Sequence, residues 1–424
     1  MAKILVNNNG PLKGEVEISG AKNAVLPLLA ATLLTPEPCT IEGVPDLVDV
    51  SVMRKMLRNY GADIVTVLPG TLKVSAKDIT SVEGNPEMVQ EMRASIFTMG
   101  PLLARMGKVI MPMPGGCTIG KRPIDLHLKG FKALGATVVE DNDKVTITAG
   151  PDGLTGDVIY LDFPSVGATE NILMAATLAK GTTIIENAAK EPEIIDLANL
   201  LNKMGAKIKY AGTDLIRVEG VEELTGCTHA VIPDRIETGT FMLAAAITRG
   251  NILIKNALPG HVRPIIAKLK ECGVKIEVTG DGILVDATAG NLVATDIKTL
   301  PYPGFPTDIQ SPFMAFLATV EGKSIVRETV FENRFMHVIE LNRMGADIET
   351  DSSREAIIPG GKVLHGAKVR ATDLRAGAAM VLAGLAATGT TEISEIYHIE
   401  RGYENFVGKF KSLGADIMKI EEDY

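Results

Sequence analysis

Two kinds of apolar pattern alternate along the chain, and they predict two kinds of helix. The first kind is apolar on nearly every side, as in residues 378–387, and should lie in the interior of the fold. The second kind carries Lys, Arg and Glu on one side and should face water. Short β-rich runs, such as residues 182–185, follow the helices. The pattern therefore predicts a unit of strand, buried helix, strand, exposed helix and strand.

The exposed helices share one ending, a Gly-Ala or Gly-Val pair that leads into a β-rich run. Each glycine is expected to follow the last helical residue. Successive glycines lie 74, 70, 68, 72 and 69 residues apart. A period of about 70 residues indicates one supersecondary unit used six times. The six glycines are Gly61, Gly135, Gly205, Gly273, Gly345 and Gly414.

The buried helices are predicted to end at a second set of glycines. Those are Gly107, Gly181, Gly250, Gly322 and Gly389. From each of them to the next Gly-Ala or Gly-Val stop the interval is 28, 24, 23, 23 and 25 residues. The second copy therefore contains a longer connection than the others. Extra length in one copy of a repeat is where function tends to be placed.

Six units in 424 residues are too many for one core, so we expect two domains. The predicted fold is α/β (α+β) with three repeats per domain. Residues 22–230 should form one domain, and residues 1–21 plus 231–424 the second, with the N-terminal stretch adding a strand. A solenoid is the alternative, but apolar helices need to be enclosed. Helix N-termini from both domains should create a positive cleft between them, where we expect the active site.

Composition narrows the range of functions. The net charge of −9 argues against a nucleic-acid partner, and no apolar run reaches the ~18 residues of a membrane span. The four cysteines are scattered and lack metal-ligand spacing, so we expect no metal and no cofactor. Free thiols are typical of a reducing cytoplasm. Cys39, Cys227 and Cys272 are interpreted as packing residues because no cation flanks them in sequence.

The long connection of the second copy contains the residue that most suggests chemistry, Cys117. Gly-Gly precedes it, and Lys121 and Arg122 follow closely. Neighbouring cations favour a thiolate and attract an anion. A surface turn that happens to contain a cysteine is the alternative, and the flanking glycines and cations argue against it. The loop predicts acid or nucleophile chemistry on a phosphate or carboxylate substrate.

Several charged residues open helices, and each has a structural alternative. Asp308, between Thr307 and Gln310, also fits a helix cap. Lys22 and Arg401 could be ordinary surface cations. Asp373 and Arg375 could pair only with neighbours, which contributes little. His127 is interpreted as a structural, hydrogen-bonding histidine.

These motifs together resemble the UDP-N-acetylglucosamine 1-carboxyvinyltransferase (MurA) family of enolpyruvyl transferases. The resemblance spans nearly the whole chain, and the cysteine loop is its most specific part. The motifs that carry it are Ser19-Gly20-Ala21-Lys22-Asn23, Met92-Arg93-Ala94-Ser95-Ile96, Pro114-Gly115-Gly116-Cys117-Thr118-Ile119-Gly120 with Arg122-Pro123, Phe305-Pro306-Thr307-Asp308, Glu332-Asn333-Arg334-Phe335-Met336-His337 and Tyr397-His398-Ile399 with Arg401-Gly402-Tyr403.

The resemblance implies a two-domain fold with helices inside and sheets outside. It implies a cytoplasmic transferase that moves the enolpyruvyl group of phosphoenolpyruvate to the 3′-hydroxyl of UDP-N-acetylglucosamine and releases phosphate, through a tetrahedral ketal. This is the committed step of peptidoglycan precursor synthesis, which links it to cell wall biogenesis, cell shape, cell cycle and cell division. It further implies a covalent pyruvate adduct on the cysteine and alkylation by fosfomycin.

Residue roles follow from the resemblance, position by position. Cys117 is implied as the acid and Asp308 as the base, while Asn23 orients the reacting centre. Lys22, Asn23, Arg122 and Arg401 are implied as phosphoenolpyruvate ligands, and Asp373 and Arg375 as supports. The implied UDP-N-acetylglucosamine ligands are Arg93, Arg122, Pro123, Ile124, Asp125, Leu126, Ser165, Val166, Gly167, Asp308, Val330 and Phe331.

The chain departs from the family pattern at Phe163. Some relatives have a lysine there that touches the diphosphate, and backbone N–H groups would have to replace it. Two other functions stay open. One is enolpyruvyl transfer to shikimate 3-phosphate, although the Gly-Ser-Lys-Ser hallmark of that enzyme is replaced by Gly20-Ala21-Lys22-Asn23. The other is a catalytically silent protein that binds the nucleotide sugar.

Overall fold

The structure is a computed structural model that describes residues 2–113, 124–352 and 354–421. These residues form two compact units. Unit one contains the described residues of 1–19 and 233–424, and unit two contains those of 20–116 and 122–232. Cys117, Arg122 and Pro123, three of the predicted site residues, lie outside the described residues.

The strands of the described residues are β1 (Ala2–Asn7), β2 (Lys13–Glu17), β3 (Cys39–Glu42), β4 (Asp63–Leu68), β5 (Thr71–Ser75), β6 (Lys108–Pro112), β7 (Thr137–Glu140), β8 (Lys144–Thr148), β9 (Val158–Tyr160), β10 (Thr182–Glu186), β11 (Lys207–Lys209), β12 (Leu215–Glu219), β13 (Thr228–Ala230), β14 (Asn251–Lys255), β15 (Lys275–Thr279), β16 (Gly282–Asp286), β17 (Ile297–Lys298), β18 (Ser324–Arg327), β19 (Glu349–Ser352), β20 (Glu355–Ile358), β21 (Lys368–Arg370), β22 (Thr390–Ser394) and β23 (Asp416–Glu421).

The α-helices of the described residues are α1 (Lys22–Ala31), α2 (Val48–Asn59), α3 (Pro86–Glu91), α4 (Met99–Met106), α5 (Asp125–Ala133), α6 (Val166–Ala176), α7 (Pro192–Lys203), α8 (Arg235–Ile247), α9 (Arg263–Glu271), α10 (Gln310–Thr319), α11 (His337–Arg343), α12 (Leu374–Ala386), α13 (Tyr397–Glu400) and α14 (Phe406–Ser412). Short 3₁₀ helices cover Thr32–Leu34, Arg93–Thr98, Pro259–His261 and Thr307–Ile309.

Each repeat builds one small sheet, and the sheets share a pattern. Five have four strands, in which a parallel pair is extended by two antiparallel strands. Their orders are β13-β3-β5-β4, β9-β10-β12-β11, β2-β14-β16-β15, β17-β18-β20-β19 and β21-β22-β1-β23. The sixth, β6-β8-β7, has an isolated parallel bridge between Glu83 and Ile110 where the others have a fourth strand. The six repeats predicted from the glycine spacing are therefore present.

The ends of the chain segments complete the sheets. β1 lies between β22 and β23, and β2 pairs in parallel with β14, so the N-terminal segment contributes to two sheets of unit one. β13, at the end of unit two, pairs in parallel with β3 at its beginning. Each unit is thus closed by strands that are far apart in sequence.

The first helix of each repeat is buried and the sheets cover the outside. In unit one, α8, α10 and α12 contact one another, and every residue of α12 from Arg375 to Leu385 is buried. In unit two, α4 contacts α6, and both α1 and α6 contact the 3₁₀ helix Arg93–Thr98. Strands such as β14 and β10 alternate buried and partly buried residues, as expected for sheets with one covered face. The predicted fold class, with helices inside and sheets outside, is confirmed.

The six repeat glycines adopt the left-handed conformation, with φ between +87° and +105°. Behind each of them the helix closes with the same two hydrogen bonds. In the first copy Gly61 N donates to Arg58 O and Ala62 N donates to Leu57 O, both at 3.0 Å. This is a Schellman ending, in which a residue with a Cβ atom would be strained at the glycine position. The predicted helix stops are confirmed.

Two details of the helix predictions are wrong. The buried helices α6, α8, α10 and α12 end three to five residues before the predicted glycines, while α4 ends directly before Gly107. In α6 and α8 a threonine hydroxyl, that of Thr177 or Thr248, bonds a last-turn carbonyl at 2.7 Å and helps to terminate the helix. The second error concerns α7, which is largely buried although it belongs to the class predicted to face water.

The burial of α7 has a local cause. Asp196 on α7 accepts a hydrogen bond from His229 Nε2 at 2.8 Å, so a charged position of this helix is satisfied inside the unit. Among the described residues, no helix is long and apolar enough to cross a membrane.

Candidate active site

Lys22 and Asn23 open helix α1 in unit two. The chain enters the helix through Ala21, whose backbone is extended and whose N–H donates to Ile232 O at 2.7 Å. No side chain of the described residues caps this helix start. The Lys22 ammonium lies 2.7 Å from Asp49 Oδ2, and the two side chains are 11% and 4% exposed. A cation is thus fixed at a positive helix end, an arrangement that suits an anionic ligand.

Asp49 was not predicted from the sequence. It belongs to the first turn of α2, where an acidic residue is ordinarily explained by the helix dipole. Its 27-residue separation from Lys22 gives no local signal of the ion pair. The structure shows that Lys22 is not a solvated surface lysine, which excludes the structural alternative.

A second group of predicted residues in unit two gathers around His127 on α5. Its Nδ1 is 3.0 Å from Asn171 Nδ2, and Asn171 also donates to Ile96 O and accepts from Gly100 N. These bonds fix the amide orientation, so Asn171 donates to Nδ1 and the ring proton lies on Nε2. Burial, and then the charge of Arg93, lower the pKa of His127 to about 3. The histidine is therefore neutral and structural, as predicted.

The ring of His127 brings two predicted segments together. A Cβ atom on Gly167 would lie 3.2 Å from His127 Cε1, which is tighter than ordinary packing. Gly167 lies in the first turn of α6, where Ser165 Oγ accepts from Ala168 N at 3.3 Å. The start of α5, with buried Ile124, exposed Asp125 and half-buried Leu126, thus lies near the Ser165–Gly167 segment, residues 165–167.

Phe163 precedes this segment, at the position where some relatives have lysine. Its side chain is 43% exposed, and its carbonyl accepts from Ser165 N at 2.7 Å. The residue therefore supplies no cation here. It contributes the backbone turn that leads into the N-terminus of α6.

In unit one, Asp308 lies in the 3₁₀ helix that precedes α10. Its Oδ1 accepts from Arg334 Nη2 at 3.0 Å and from Arg375 Nε at 3.3 Å. Neither the 3₁₀ helix nor α10 has a side-chain cap. The helix-cap alternative for Asp308 is therefore wrong, because two guanidinium groups hold the carboxylate instead.

The two arginines are themselves fixed from below. Arg375 is 2% exposed and its guanidinium lies 5.3 Å from the Tyr403 ring centroid. Arg334 is 4% exposed and lies 5.5 Å from the Phe331 ring centroid. Asp373 caps α12 by accepting from Arg375 N and Ala376 N at 2.8 and 3.1 Å. Asp373 thereby sets the position of Arg375, which agrees with the predicted supporting role.

A buried carboxylate that the sequence did not reveal organises the neighbouring segment. Glu328 is 0% exposed, and its Oε1 accepts from Thr299 Oγ1, Val330 N and Phe331 N at 2.8, 2.8 and 3.1 Å. Its Oε2 accepts from Thr307 Oγ1 at 2.9 Å. Glu328 therefore connects the predicted ligands Val330 and Phe331 to the residue before Asp308.

Arg401 follows helix α13, and its guanidinium lies 5.9 Å from the Tyr397 ring centroid. Burial, and then Arg401, lower the pKa of the neighbouring His398. His337, in the same unit, is fully buried, and burial is the main cause that lowers its pKa to about 4. The cations of this region are thus surrounded by neutral histidines. No group of His, Cys, Asp and Glu in the described part of the chain could hold a metal ion.

Known proteins resemble this chain along its whole length. The family described as EPSP synthase (3-phosphoshikimate 1-carboxyvinyltransferase) matches residues 6–410. The UDP-N-acetylglucosamine 1-carboxyvinyltransferase 1 of Caldanaerobacter subterraneus subsp. tengcongensis is 57% identical over 417 residues, 98% of this chain and 99% of that protein. The UDP-N-acetylglucosamine 1-carboxyvinyltransferase of Finegoldia magna is 54% identical over 423 residues, 99% of each.

Solved structures agree in fold. The crystal structure of the enolpyruvyl transferase NikO from Streptomyces tendae has a TM-score of 0.88 at 26% identity, covering 99% of this chain and 98% of NikO. The EPSP synthase of Acinetobacter baumannii has a TM-score of 0.76 at 18% identity, covering 99% of this chain and 100% of that one, and shows the fold alone. The chain belongs to the EPSP synthase family of carboxyvinyltransferases, and within it to the UDP-N-acetylglucosamine 1-carboxyvinyltransferases.

Proposed function

We propose that this protein transfers the enolpyruvyl group of phosphoenolpyruvate to the 3′-hydroxyl of UDP-N-acetylglucosamine and releases phosphate. The observation that carries the proposal is the 57% identity, over 98% of the chain, to a protein named for this reaction. The relative of Finegoldia magna has the same name at 54% identity. The reaction is the committed step of peptidoglycan precursor synthesis and takes place in the cytoplasm.

The chemistry is an addition followed by an elimination. A proton is added to the methylene carbon of phosphoenolpyruvate while the sugar oxygen forms a bond to the adjacent carbon. The sugar hydroxyl loses its proton to a base, and a tetrahedral ketal results. Loss of phosphate and of one methyl proton then restores the double bond. The step needs an acid, a base and cations that hold phosphate and carboxylate.

We assign the base to Asp308. The two hydrogen bonds from Arg334 and Arg375 orient its carboxylate and neutralise its charge. The side chain is 28% exposed, so a substrate can reach it, whereas both arginines are buried. A fixed, reachable carboxylate suits proton abstraction from a sugar hydroxyl. The acid is assigned to Cys117 on its motif.

Lys22, Arg122 and Arg401 are proposed as the cations for phosphoenolpyruvate, and Asn23 is proposed to orient its reacting centre. The position of Lys22 at the start of α1 supports this assignment, because helix dipole and ammonium attract an anion together. Asp49 holds the ammonium in place at 2.7 Å. An incoming phosphate would approach a lysine whose orientation is already fixed, which lowers the entropy cost of binding.

The nucleotide sugar is proposed to bind Arg93, the start of α5 and the start of α6 in unit two, with Asp308, Val330 and Phe331 from unit one. The packing of Gly167 against His127 supports a shared surface for the two helix starts. Since Phe163 lacks a charge, backbone N–H groups at the start of α6 would contact the diphosphate. The predicted location of the active site, a cleft between the domains, stays a prediction.

Phosphate release from phosphoenolpyruvate tests the proposal, with UDP-N-acetylglucosamine and shikimate 3-phosphate as parallel acceptors. Release that requires the nucleotide sugar is expected. Release with shikimate 3-phosphate alone would move the assignment to the sister reaction. Binding of the nucleotide sugar without release would identify a silent binding protein and contradict the proposal. An Asp347→Asn variant, changed at an exposed ion pair, is the matched active control.

A further inference from the structure

Two cysteines that sequence analysis treats as packing residues are neighbours on adjoining strands. Strands β3 and β13 pair in parallel, with Thr40 opposite Thr228, and Thr40 N donates to Cys227 O at 2.8 Å. The same register places Cys39 opposite Cys227. Adjoining strands lie about 4.7–4.9 Å apart, within the Cα separation of about 4.4–6.8 Å that a disulfide requires. Both thiols are free, and they interact directly with each other.

The two thiols differ in access and in charge environment. Cys39 is 0% exposed, whereas Cys227 is only partly buried. The Lys203 ammonium lies beside Cys227 and donates to Thr228 O at 3.4 Å. The hydrogen bond from Cys39, and then the charge of Lys203, lower the pKa of Cys227. The hydrogen bond with Cys227, together with burial, raises the pKa of Cys39.

This division of roles is typical of a redox-active dithiol. A reachable thiol with thiolate character reacts first with an oxidant, and an adjacent thiol resolves the product. Lys203 explains why the sequence gives no sign of it. The cation comes from the end of helix α7, 24 residues before Cys227 in the chain.

We propose that Cys39 and Cys227 form an intramolecular disulfide when the protein meets hydrogen peroxide. The Cys227 thiolate attacks one peroxide oxygen, the O–O bond breaks, and a sulfenic acid and hydroxide result. The Cys39 sulfur then attacks the sulfenic sulfur, and its proton leaves with the hydroxyl group as water. In sum, two thiols lose two electrons and two protons, and one peroxide becomes two waters.

The disulfide would join residues 188 positions apart and hold β13 to β3. A cross-link over so long a loop restricts the unfolded chain strongly, so the oxidised protein should melt at higher temperature. For a unit of this size we expect a rise of about 5–10 °C. Cys272 offers an internal control, because burial raises its pKa to about 12 and makes it a poor nucleophile.

The full-length protein is oxidised with a stoichiometric excess of hydrogen peroxide and digested without reductant for peptide mass spectrometry. A Cys117→Ser background removes the thiol of the proposed active site as a competing target. The expected product is a cross-linked peptide pair containing Cys39 and Cys227, lighter by two hydrogens and separated again by a thiol reductant. The same product should form in Cys272→Ser.

Two further variants assign the order of events. Cys39→Ser should accumulate a sulfenic acid at Cys227 that a dimedone probe traps, while Cys227→Ser should leave Cys39 unmodified. The proposal is overturned if both thiols stay free at peroxide concentrations that oxidise Cys117. It is also overturned if Cys227 proceeds to sulfinic acid without a cross-link. None of these readouts depends on the proposed transferase activity.

Discussion

Glu328 accepts a hydrogen bond from Thr307 Oγ1 at 2.9 Å, which connects the loop of Val330 and Phe331 to the residue before Asp308. The same carboxylate accepts from Thr299 Oγ1 and from two backbone N–H groups, those of Val330 and Phe331. A buried acid with four donors fixes all four of them. The proposed base and two proposed nucleotide-sugar ligands therefore share one buried support.

Glu328→Ala tests this support. Four buried donors would lose their acceptor, so we expect unfolding free energy to fall by about 3 kcal/mol and KM for UDP-N-acetylglucosamine to rise about tenfold. Glu328→Gln keeps the Oε1 acceptor, and the Thr307 hydroxyl can turn to accept from the new amide, so its loss should stay under about 1.5 kcal/mol. Urea unfolding and steady-state kinetics measure both effects. Equal losses in the two variants would contradict a role based on hydrogen-bond geometry.

Asp308→Asn tests the proposed base. The asparagine oxygen can still accept from Arg334 and Arg375, so the fold should survive while proton abstraction is lost. We expect kcat to fall by about 10²–10⁴. Steady-state phosphate release measures kcat, and thermal unfolding checks integrity. A variant that turns over within threefold of the parent protein would remove Asp308 from the mechanism.

The Lys22–Asp49 pair permits stability and activity to be separated. Lys22→Met removes the ammonium from a carboxylate that is 4% exposed, and we expect a loss of about 3 kcal/mol in unfolding free energy. Adding Asp49→Asn removes the buried charge and should restore most of the stability. The double variant should nevertheless stay at least about 100-fold below the parent in kcat/KM for phosphoenolpyruvate. Recovery of activity in the double variant would show that Lys22 is structural.

The sequence predicted the fold well because its signals are local. The glycine of each Schellman ending, such as Gly61, is required by backbone conformation within one turn, and the apolar helices follow from periodicity. The helix ends near Thr177 and Thr248 were missed because a hydroxyl competed with the glycine signal. The burial of α7 was missed because its cause, the pair of Asp196 and His229, spans 33 residues.

The candidate site was predicted only as far as motifs carry it. Asp308, Arg375 and Asp373 were placed by resemblance, and in the structure they form one connected group. Glu328 was missed because its partners lie on the chain between Thr299 and Phe331 and no local pattern marks an acid with buried donors. Lys203 was missed for the same reason, since its neighbour Cys227 is distant in sequence.

Cys117 lies outside the described residues, so its prediction rests on the motif. Cys117→Ser should leave folding intact and reduce turnover by at least about 100-fold, because a hydroxyl is a far weaker acid than a thiol. Cys117→Asp should retain activity, as some family members have aspartate there. Incubation of the parent protein with fosfomycin and the nucleotide sugar should add one inhibitor mass to the peptide of Cys117. Near-normal turnover of the serine variant would refute the role.

His127 predicts a defined pH dependence of stability. Burial, and then Arg93, lower its pKa to about 3, whereas a histidine in the unfolded chain titrates near 6.5. Between these values the unfolded state binds a proton that the folded state does not, so stability falls as pH falls from about 6.5 towards 3. From pH 8 to pH 5 this histidine should cost about 2 kcal/mol.

The comparison of parent protein and His127→Gln isolates that effect. The glutamine oxygen can accept from Asn171 Nδ2, so the hydrogen bond at 3.0 Å is retained without a titrating group. Other buried acids, among them Glu237 with its pKa raised to about 7 by burial, titrate equally in both proteins and cancel. On moving from pH 8 to pH 5, the stability of the variant relative to the parent should therefore improve by about 2 kcal/mol. Urea unfolding at the two pH values measures this change, and a difference independent of pH would show that His127 titrates normally in the folded protein.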